Sequence, residues 1–437
     1  MKRARLSARD RAVDVLREVE RGGRATSSLA ANAGGLSLRD ADLMRELVLG
    51  VLRWRSALDR EIAGVSRVPL PKLAPRLREI LEVSLYQIRH LDRVPHYAAV
   101  SEAVSQARAS GGEGAARLVN GVLRGVLLLP APAPPRPGAG AEELAAAYSH
   151  PPFLVERWLA RFGEERTRAI LSTDNAPSGL DLMVNPRFGS REAIADELAR
   201  EDVRTEPSGL SPLALTVRSG NPLRSPLFAA GRFTIADAGS QALPLLLPPG
   251  TELVDLASAP GGKSFAALAL GRAERTVSID ASVERLRRLV DNRFRLGMAR
   301  ARPVAGDVRS LPLPDARFER VLFDAPCSGT GTLRKNPEIR YRVTPSAIER
   351  LARSQEEGLA WAARLLSRAG FLLYSTCSLE EEENERVVRR VLERDPSLEL
   401  APIDAPDGLR PYVDEARFRL FPDARADGFT AHLLRRR

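Results

Sequence analysis

Apolar positions in the first third of the chain recur at the spacing of one helix face. Ser7 stands where a cap belongs, ahead of a helix carrying Ala12, Val13, Leu16 and Val19. Residues 40–64 place Leu43, Leu47, Val48, Val51, Leu52, Leu58 and Ile62 close to the helical repeat. A third helix is expected over 74–90, with Leu77, Leu81, Leu85 and Ile88, and two more over 96–110 and 115–128. Five amphipathic helices with short joints predict a compact all-α bundle over 1–130. Residues 130–140 then hold five prolines and two glycines, which predicts a stiff linker at 131–145.

Beyond the linker the period changes. Residues 146–230 mix helices, expected at 151–172 and 190–201, with short strands near 180–184 and 213–217, a small α+β module. Residues 231–437 alternate strand and helix. Strands are expected at Glu252–Leu256, Thr276–Asp280, Arg302–Ala305, Arg320–Asp324 and Phe371–Ser375, with helices near 262–270, 282–296 and 344–368. Repeated βα units predict a mainly parallel, doubly wound α/β sheet. Its ligand site belongs at the carboxyl ends of the strands.

The first such strand runs into ELVDLASAPGGKS, residues 252–264. A small-residue loop opening a helix lets the backbone approach a ligand closely. A phosphate-binding P-loop would need glycine where Ala257 stands, and Pro260 removes an N–H from the cradle. An S-adenosylmethionine pocket fits better. It needs a tight turn and a carboxylate for the ribose at the end of the next strand, where Asp280 stands. Asp255 and Asp307 close the first and third strands, so three successive strands end in an acid.

The chain has two cysteines, and both follow strands on this ligand side. Cys327 lies in VLFDAPCSGTGTLRKNPEIR, residues 321–340, and Cys377 in LLYSTCSLEEEENE, residues 372–385. Carbon 5 of cytosine is a poor nucleophile. A thiolate added to carbon 6 makes carbon 5 able to take a methyl group, which splits one hard step into two. Asp324 can hold or protonate ring nitrogen 3 as charge develops there. Lys263, Lys335 and a helix start after Ser378 would favour the thiolate. A sequence of this type that methylates an exocyclic amine would read (D/N)PP(Y/F) after the strand; here it reads Asp324-Ala325-Pro326-Cys327. The acidic run Glu380–Glu383 reads as helix capping, with Ser378 and Glu381 as a capping box. The residues alone do not say which cysteine attacks.

Composition narrows the setting. Two cysteines exclude a disulfide framework, and His90, His96, His150 and His432 have no metal-ligand spacing, so no metal is expected. No apolar run is long enough for a membrane span and the basic start lacks an apolar core behind it, which predicts a cytoplasmic chain. The net charge is +10. Residues 1–130 hold 22 Lys+Arg against 14 Asp+Glu, so most of the excess lies in the predicted bundle. A surplus of guanidinium suits a phosphate backbone.

DLASAPGGK, DAPCSGTGTLRKNPEIR and STCS together resemble the motifs of bacterial RNA 5-methylcytosine methyltransferases. The similarity is greatest to the RsmB (Sun/Fmu) branch, which acts on 16S rRNA. FTIADAGSQALPLLLPP (233–249) resembles the segment before the donor loop, and DGFTAHLLRRR the last strand. LDREI, LYQI, RVPHYAAVSEAV and LVNGVLR resemble that branch's N-terminal NusB-like RNA-binding domain. The resemblance implies a Rossmann-like S-adenosylmethionine-dependent catalytic domain. It implies Cys377 as nucleophile and Cys327 as the residue that helps release product, whereas DNA cytosine methyltransferases, with their Pro-Cys loop, would point to Cys327. It implies donor contacts from Ala257, Ser258, Ala259, Pro260, Gly261, Gly262, Lys263, Asp280, Asp307 and Asp324. The family loop usually begins with cysteine where this chain has Ala257. The expected substrate is 16S rRNA or an early small-subunit assembly intermediate, with no membrane and no obligate protein partner. A tRNA cytosine-5 methyltransferase is the near alternative; a P-loop NTPase and a non-catalytic RNA-binding factor are more distant.

Overall fold

In a computed structural model, residues 7–307, 309 and 313–437 are described. They form two compact units, one of Met1–Ala176 with Leu333–Arg342 and one of Pro177–Thr332 with Val343–Arg437. Among the described residues, no helix is long and apolar enough to cross a membrane.

The first unit is helical: α1 (Ala8–Glu20), α2 (Ala25–Asn32), α3 (Leu38–Val65), α4 (Pro75–His90), α5 (His96–Leu127), α6 (Ala141–Tyr148) and α7 (Pro152–Asn175). Ser7 and Asp10 form a reciprocal capping box on α1. The apolar stripes of α1, α3 and α4 meet in one core that includes Leu16, Leu47, Val51, Ile62, Leu81 and Leu85. Gly50 makes the crossing of α3 with α4 possible, because a Cβ there would lie 1.9 Å from the Tyr86 ring. The two helices expected over 96–128 are the two halves of α5, kinked at Gly111 and Gly112.

Two helices depart from expectation. Ala25–Thr26–Ser27–Ser28 gives α2 little amphipathy, and its start has no side-chain cap, so no periodic signal marks it. Helix α6 begins inside the segment expected as linker, because Glu142 and Glu143 open a first turn directly after Gly140. The arginine surplus is also partly structural. Arg53 and Arg55 are buried, and Arg55 pairs with Glu82 at 3.0 Å.

Residues Leu333–Arg342 return to this unit from the middle of the catalytic motif. Arg340 is buried there and donates to Arg53 O at 2.7 Å, Asn175 Oδ1 at 2.8 Å, and Ser149 O and Asp174 O at 3.3 Å. Arg340→Ala would strand four acceptors and open a cavity. A loss of about 3 kcal/mol is expected for the first unit, read by chemical denaturation with Trp54 and Trp158 fluorescence as the probe.

The second unit holds two sheets. The smaller is antiparallel in the order β2 (Arg204–Pro207), β3 (Ala214–Ser219), β1 (Leu180–Val184), β4 (Phe233–Ile235). Helix α8 (Arg191–Ala199) buries Ile194 and Leu198 in the same core as Leu182, Leu215 and Phe233. The edge strand β2 is polar and exposed, so no alternation marks it in the sequence. Strand β4 lies in the segment assigned to the catalytic domain from residue 231 on, with no strand expected there, but Phe233 pairs with Val184 in this smaller sheet. Two short helices flank it, α9 (Pro226–Ala229) before β4 and α10 (Ala238–Ala242) after it.

The larger sheet contains β5 (Gly250–Leu256), β6 (Ala273–Asp280), β7 (Ala301–Ala305), β8 (Phe318–Asp324), β9 (Leu366–Thr376), β10 (Leu398–Leu400), β11 (Val413–Asp414), β12 (Arg417–Leu420) and β13 (Phe429–Arg436). Its order is β11-β12-β13-β9-β8-β5-β6-β7, with β10 also on β13. The run from β7 to β9 is parallel, as the βα alternation predicts. Strand β13 enters antiparallel beside β9. Helices α11 (Gly262–Ala269), α12 (Val283–Leu296), α13 (Pro345–Arg364) and α14 (Glu385–Arg394) accompany the strands. The helix expected over 344–368 stops at Arg364, because β9 starts at Leu366. The chain goes from β5 to β6 on one side and later to β8 on the other. The topological switch point, where a ligand crevice opens, therefore lies between β5 and β8.

Candidate active site

The loop after β5 is built to turn sharply. Ala257 and Gly261 both have positive φ, +60° and +104°. At Gly261 a Cβ would sit 2.4 Å from the Phe265 ring, so only glycine fits. The turn is held by Gly261 N–H donating to Ser258 O at 2.8 Å and Ser258 N–H to Ile279 O at 2.8 Å. Asp280 Oδ2 accepts from Ala259 N–H at 3.0 Å and Oδ1 from Ser282 N–H at 2.9 Å.

Ala257, Asp280 and Asp307 line one cavity with Ile279, Gly306, Phe323, Pro326, Gln355 and Gly358. Three of the expected donor contacts are thus brought together. Ser258 to Gly262 form the turn beneath them. Asp307 is held to about pH 2 for its own titration by hydrogen bonds from Arg309, 2.7 Å away. Asp255 has a different place. It is fully buried and accepts from Ser264 Oγ at 2.6 Å, and burial pushes its carboxyl up to about 7. It anchors α11 to β5 and does not line the cavity.

Lys263 and Asp324 form a second group. Lys263 Nζ lies 2.6 Å from Asp324 Oδ2, and Ser375 Oγ donates to Asp324 Oδ1 at 2.9 Å. Burial works against the Lys263 ammonium, but Asp324, Asp255 and Cys377 more than offset it, and its pKa is raised. A carboxylate so paired accepts hydrogen bonds and does not donate them. Holding an amino group therefore suits Asp324 better than protonating a ring nitrogen.

The two thiols meet beside this pair. Cys327 Sγ lies 3.2 Å from Cys377 Sγ, at the ends of the neighbouring parallel strands β8 and β9. Their surroundings differ. Lys263 is coupled to Cys377. Cys327 is pushed well up by its hydrogen bond to Cys377, then by burial, and then by the charges of Cys377, Glu383 and Asp324. Cys377 thus has a cation among its charge neighbours, whereas its hydrogen bond, burial and the nearby anions keep the proton on Cys327. Lys335, expected as a second cation here, lies in the segment that packs with the first unit.

The acidic run is not the capping box the sequence suggests. Glu381–Glu383 is a 3₁₀ turn, and the helix α14 begins only at Glu385. Ser378 Oγ pairs with Glu383 Oε2 at 2.5 Å, not with Glu381. Glu383 is fully buried, and nothing in the spacing of four successive glutamates separates it from the half-buried Glu381 and Glu382. Ser354, Gln355 and Gly358 on α13 were likewise missed as cavity residues. Gly358 gave a signal: a glycine inside a helix marks close packing, here against Phe323, whose ring would lie 2.6 Å from a Cβ.

Comparison with known proteins agrees with this geometry. Residues 243–435 match the family described as 16S rRNA methyltransferase RsmB/F, residues 6–127 the NusB family, and residues 150–224 the RsmF/B-like ferredoxin-like domain. A probable ribosomal RNA small subunit methyltransferase B of Synechocystis is 34% identical over 89% of both chains. One from Bacillus subtilis is 30% identical over 99% of both.

The chain belongs to the ribosomal RNA small subunit methyltransferase B family.

The family carries with it the activity class, an rRNA methyltransferase dependent on S-adenosylmethionine. The crystal structure of PH0851 superposes with a TM-score of 0.80 over 99% of this chain and 100% of that one, at 25% identity. The cavity fits the donor by an orphaned atom as well as its acids. Gln355, which lines it, has a buried Oε1 without a hydrogen-bond partner, and such a group needs one.

Proposed function

We propose that this methyltransferase makes 5-methylcytosine in 16S rRNA through a covalent adduct on Cys377, released with the help of Cys327. The observation that carries the reading is the pair of thiols 3.2 Å apart beside Lys263 and Asp324. One thiol with a cation and one with anions are suited to different tasks.

The donor supplies an electrophilic methyl group on a sulfonium sulfur when bound. Ala257, Asp280 and Asp307 line its cavity, and the turn from Ser258 to Gly262 shapes it. Asp324 accepts from the cytosine amino group, and Lys263 offers the matching donor toward the ring. Cys377 adds its sulfur to carbon 6, and the electron pair moves to carbon 5, which takes the methyl. Cys327, once its own proton has passed to water, then acts as base and removes the proton of carbon 5. Those electrons restore the double bond, the bond from sulfur to carbon 6 breaks, and Cys377 leaves as thiolate. The target base must leave its stack, at a cost of about a few kcal/mol, so a single-stranded or looped region is the favoured substrate.

The substrate reading is tested with labelled donor offered in parallel to unmodified 16S rRNA, unmodified tRNA and duplex DNA, followed by nucleoside analysis. Labelled 5-methylcytidine from 16S rRNA alone is expected. Label in tRNA alone would keep the chemistry and replace the substrate. Label in another nucleoside would end the cytosine reading.

A further inference from the structure

Two loops carry the thiols, and one buried carboxylate joins them. Glu383 Oε1 accepts from the backbone N–H of Ser328, next to Cys327, at 2.8 Å. Its Oε2 accepts from Ser378 Oγ, next to Cys377, at 2.5 Å, and also from Ser328 Oγ. Gln355 Nε2, on the helix that lines the donor cavity, donates to Oε1 at 3.0 Å and to Pro326 O at 2.9 Å. Glu383 is 0% exposed, so nothing in water competes for these bonds. The next residue completes the arrangement on one side. Asn384 accepts from Thr376 Oγ1 at 2.7 Å and donates to Ser378 O at 3.0 Å, which brackets Cys377.

This pattern exceeds what a helix start needs. A cap satisfies the backbone of its own first turn. Glu383 satisfies a backbone N–H 55 residues away and two hydroxyls from different loops. Burying a carboxylate is costly unless it is fully hydrogen-bonded, and here the four bonds come from the three elements that must be in register for catalysis.

We propose that Glu383 is a positioning residue for product release: it fixes the Cys327 loop against the Cys377 loop, so that Cys327 stays within reach of the base bonded to Cys377. This rests on the covalent reading above. Cys377 is also bracketed by Asn384 and by Gly331 N–H, which donates to Cys377 O at 2.9 Å. Cys327 is held through its two neighbours, Ser328 bonded to Glu383 and Pro326 O bonded to Gln355, which is itself oriented by Glu383. Loss of Glu383 therefore loosens Cys327 more than Cys377, and release suffers more than attack.

The test uses the full chain and unmodified 16S rRNA. Single-turnover methyl transfer and the lifetime of the protein–RNA adduct are measured for wild type, Cys327→Ala, Glu383→Ala and Glu383→Gln. For Glu383→Ala the ratio of transfer rate to release rate is expected to rise about tenfold or more, with adduct visible on denaturing gels. Glu383→Gln keeps an acceptor for Ser328 N–H and guards against simple misfolding. It removes the anion beside Cys327, whose other charged neighbours are Cys377 and Asp324. Its alkylation of Cys327 by iodoacetamide at pH 8, read by mass spectrometry without RNA, is expected to rise about threefold. If Cys327→Ala traps adduct while both Glu383 variants release like wild type, the positioning role is overturned. Equal loss of transfer and release in both, with unchanged Cys327 alkylation, would also overturn it and leave a packing role. If Cys327→Ala itself traps nothing, the failure lies with the covalent reading.

Discussion

Cys377→Ala is expected to abolish the proposed formation of 5-methylcytidine in 16S rRNA, by roughly 10⁴-fold or more, while donor binding stays near wild type. The size follows from the chemistry. Without sulfur on carbon 6, carbon 5 lacks the electron density to take a methyl group, and no other thiolate is placed to supply it. Cys327 lies 3.2 Å away; the variant removes its hydrogen bond to Cys377, but burial and the charges of Glu383 and Asp324 still push its pKa up. Donor binding is spared because the cavity is lined by Ala257, Asp280, Asp307 and α13, not by Cys377. The measurement is a radiolabelled methyl-transfer assay beside equilibrium donor binding. Residual turnover within tenfold of wild type would remove Cys377 from its role.

Cys327→Ala gives the opposite phenotype. Methyl transfer is expected to proceed once, with the product then staying attached. Turnover falls about 10²-fold or more, the usual worth of a positioned base, and a protein–RNA adduct survives denaturation. The adduct should carry the label, which shows that transfer came before the block. It should be absent from Cys327→Ala/Cys377→Ala, which places the bond at Cys377. An unlabelled adduct would put Cys327 before methyl transfer instead of after it. The opposite signs of these two variants distinguish the cysteines in a way that neither rate alone does.

Much of this site could be read from the chain. The strands β5 to β9 announce themselves as apolar runs ending in small or acidic residues, and Asp280, Asp307, Cys327 and Cys377 fall at their carboxyl ends because the topology puts every ligand there. What the sequence withheld was of two kinds. Elements without an apolar face left no trace, such as α2, with its run of Thr and Ser, and the polar edge strand β2. Long-range polar contacts left none either. Glu383 looks like three other glutamates until the fold buries it beside Ser328, and Lys263 shows its bond to Asp324 only once α11 and β8 stand side by side. The order of the two cysteines belongs to this second kind. The order proposed for them rests on which thiol has the cation for a neighbour, and charge neighbours 50 and more residues apart are not written in spacing.

The return of Leu333–Arg342 to the first unit has a consequence for how the molecule is made. Synthesis runs from the N-terminus, and domains usually close as they emerge. Here the helices up to Ala176 are complete long before Arg340, which caps Arg53 O and Asn175 Oδ1 in their interior, has been translated. The helical unit must wait with those acceptors unfilled until β5 to β8 have also been synthesised. Its last interior side chain arrives on the same stretch of polypeptide as Cys327. A chain that ends before residue 340 thus lacks the last interior side chain of its helical unit as well as part of the second unit.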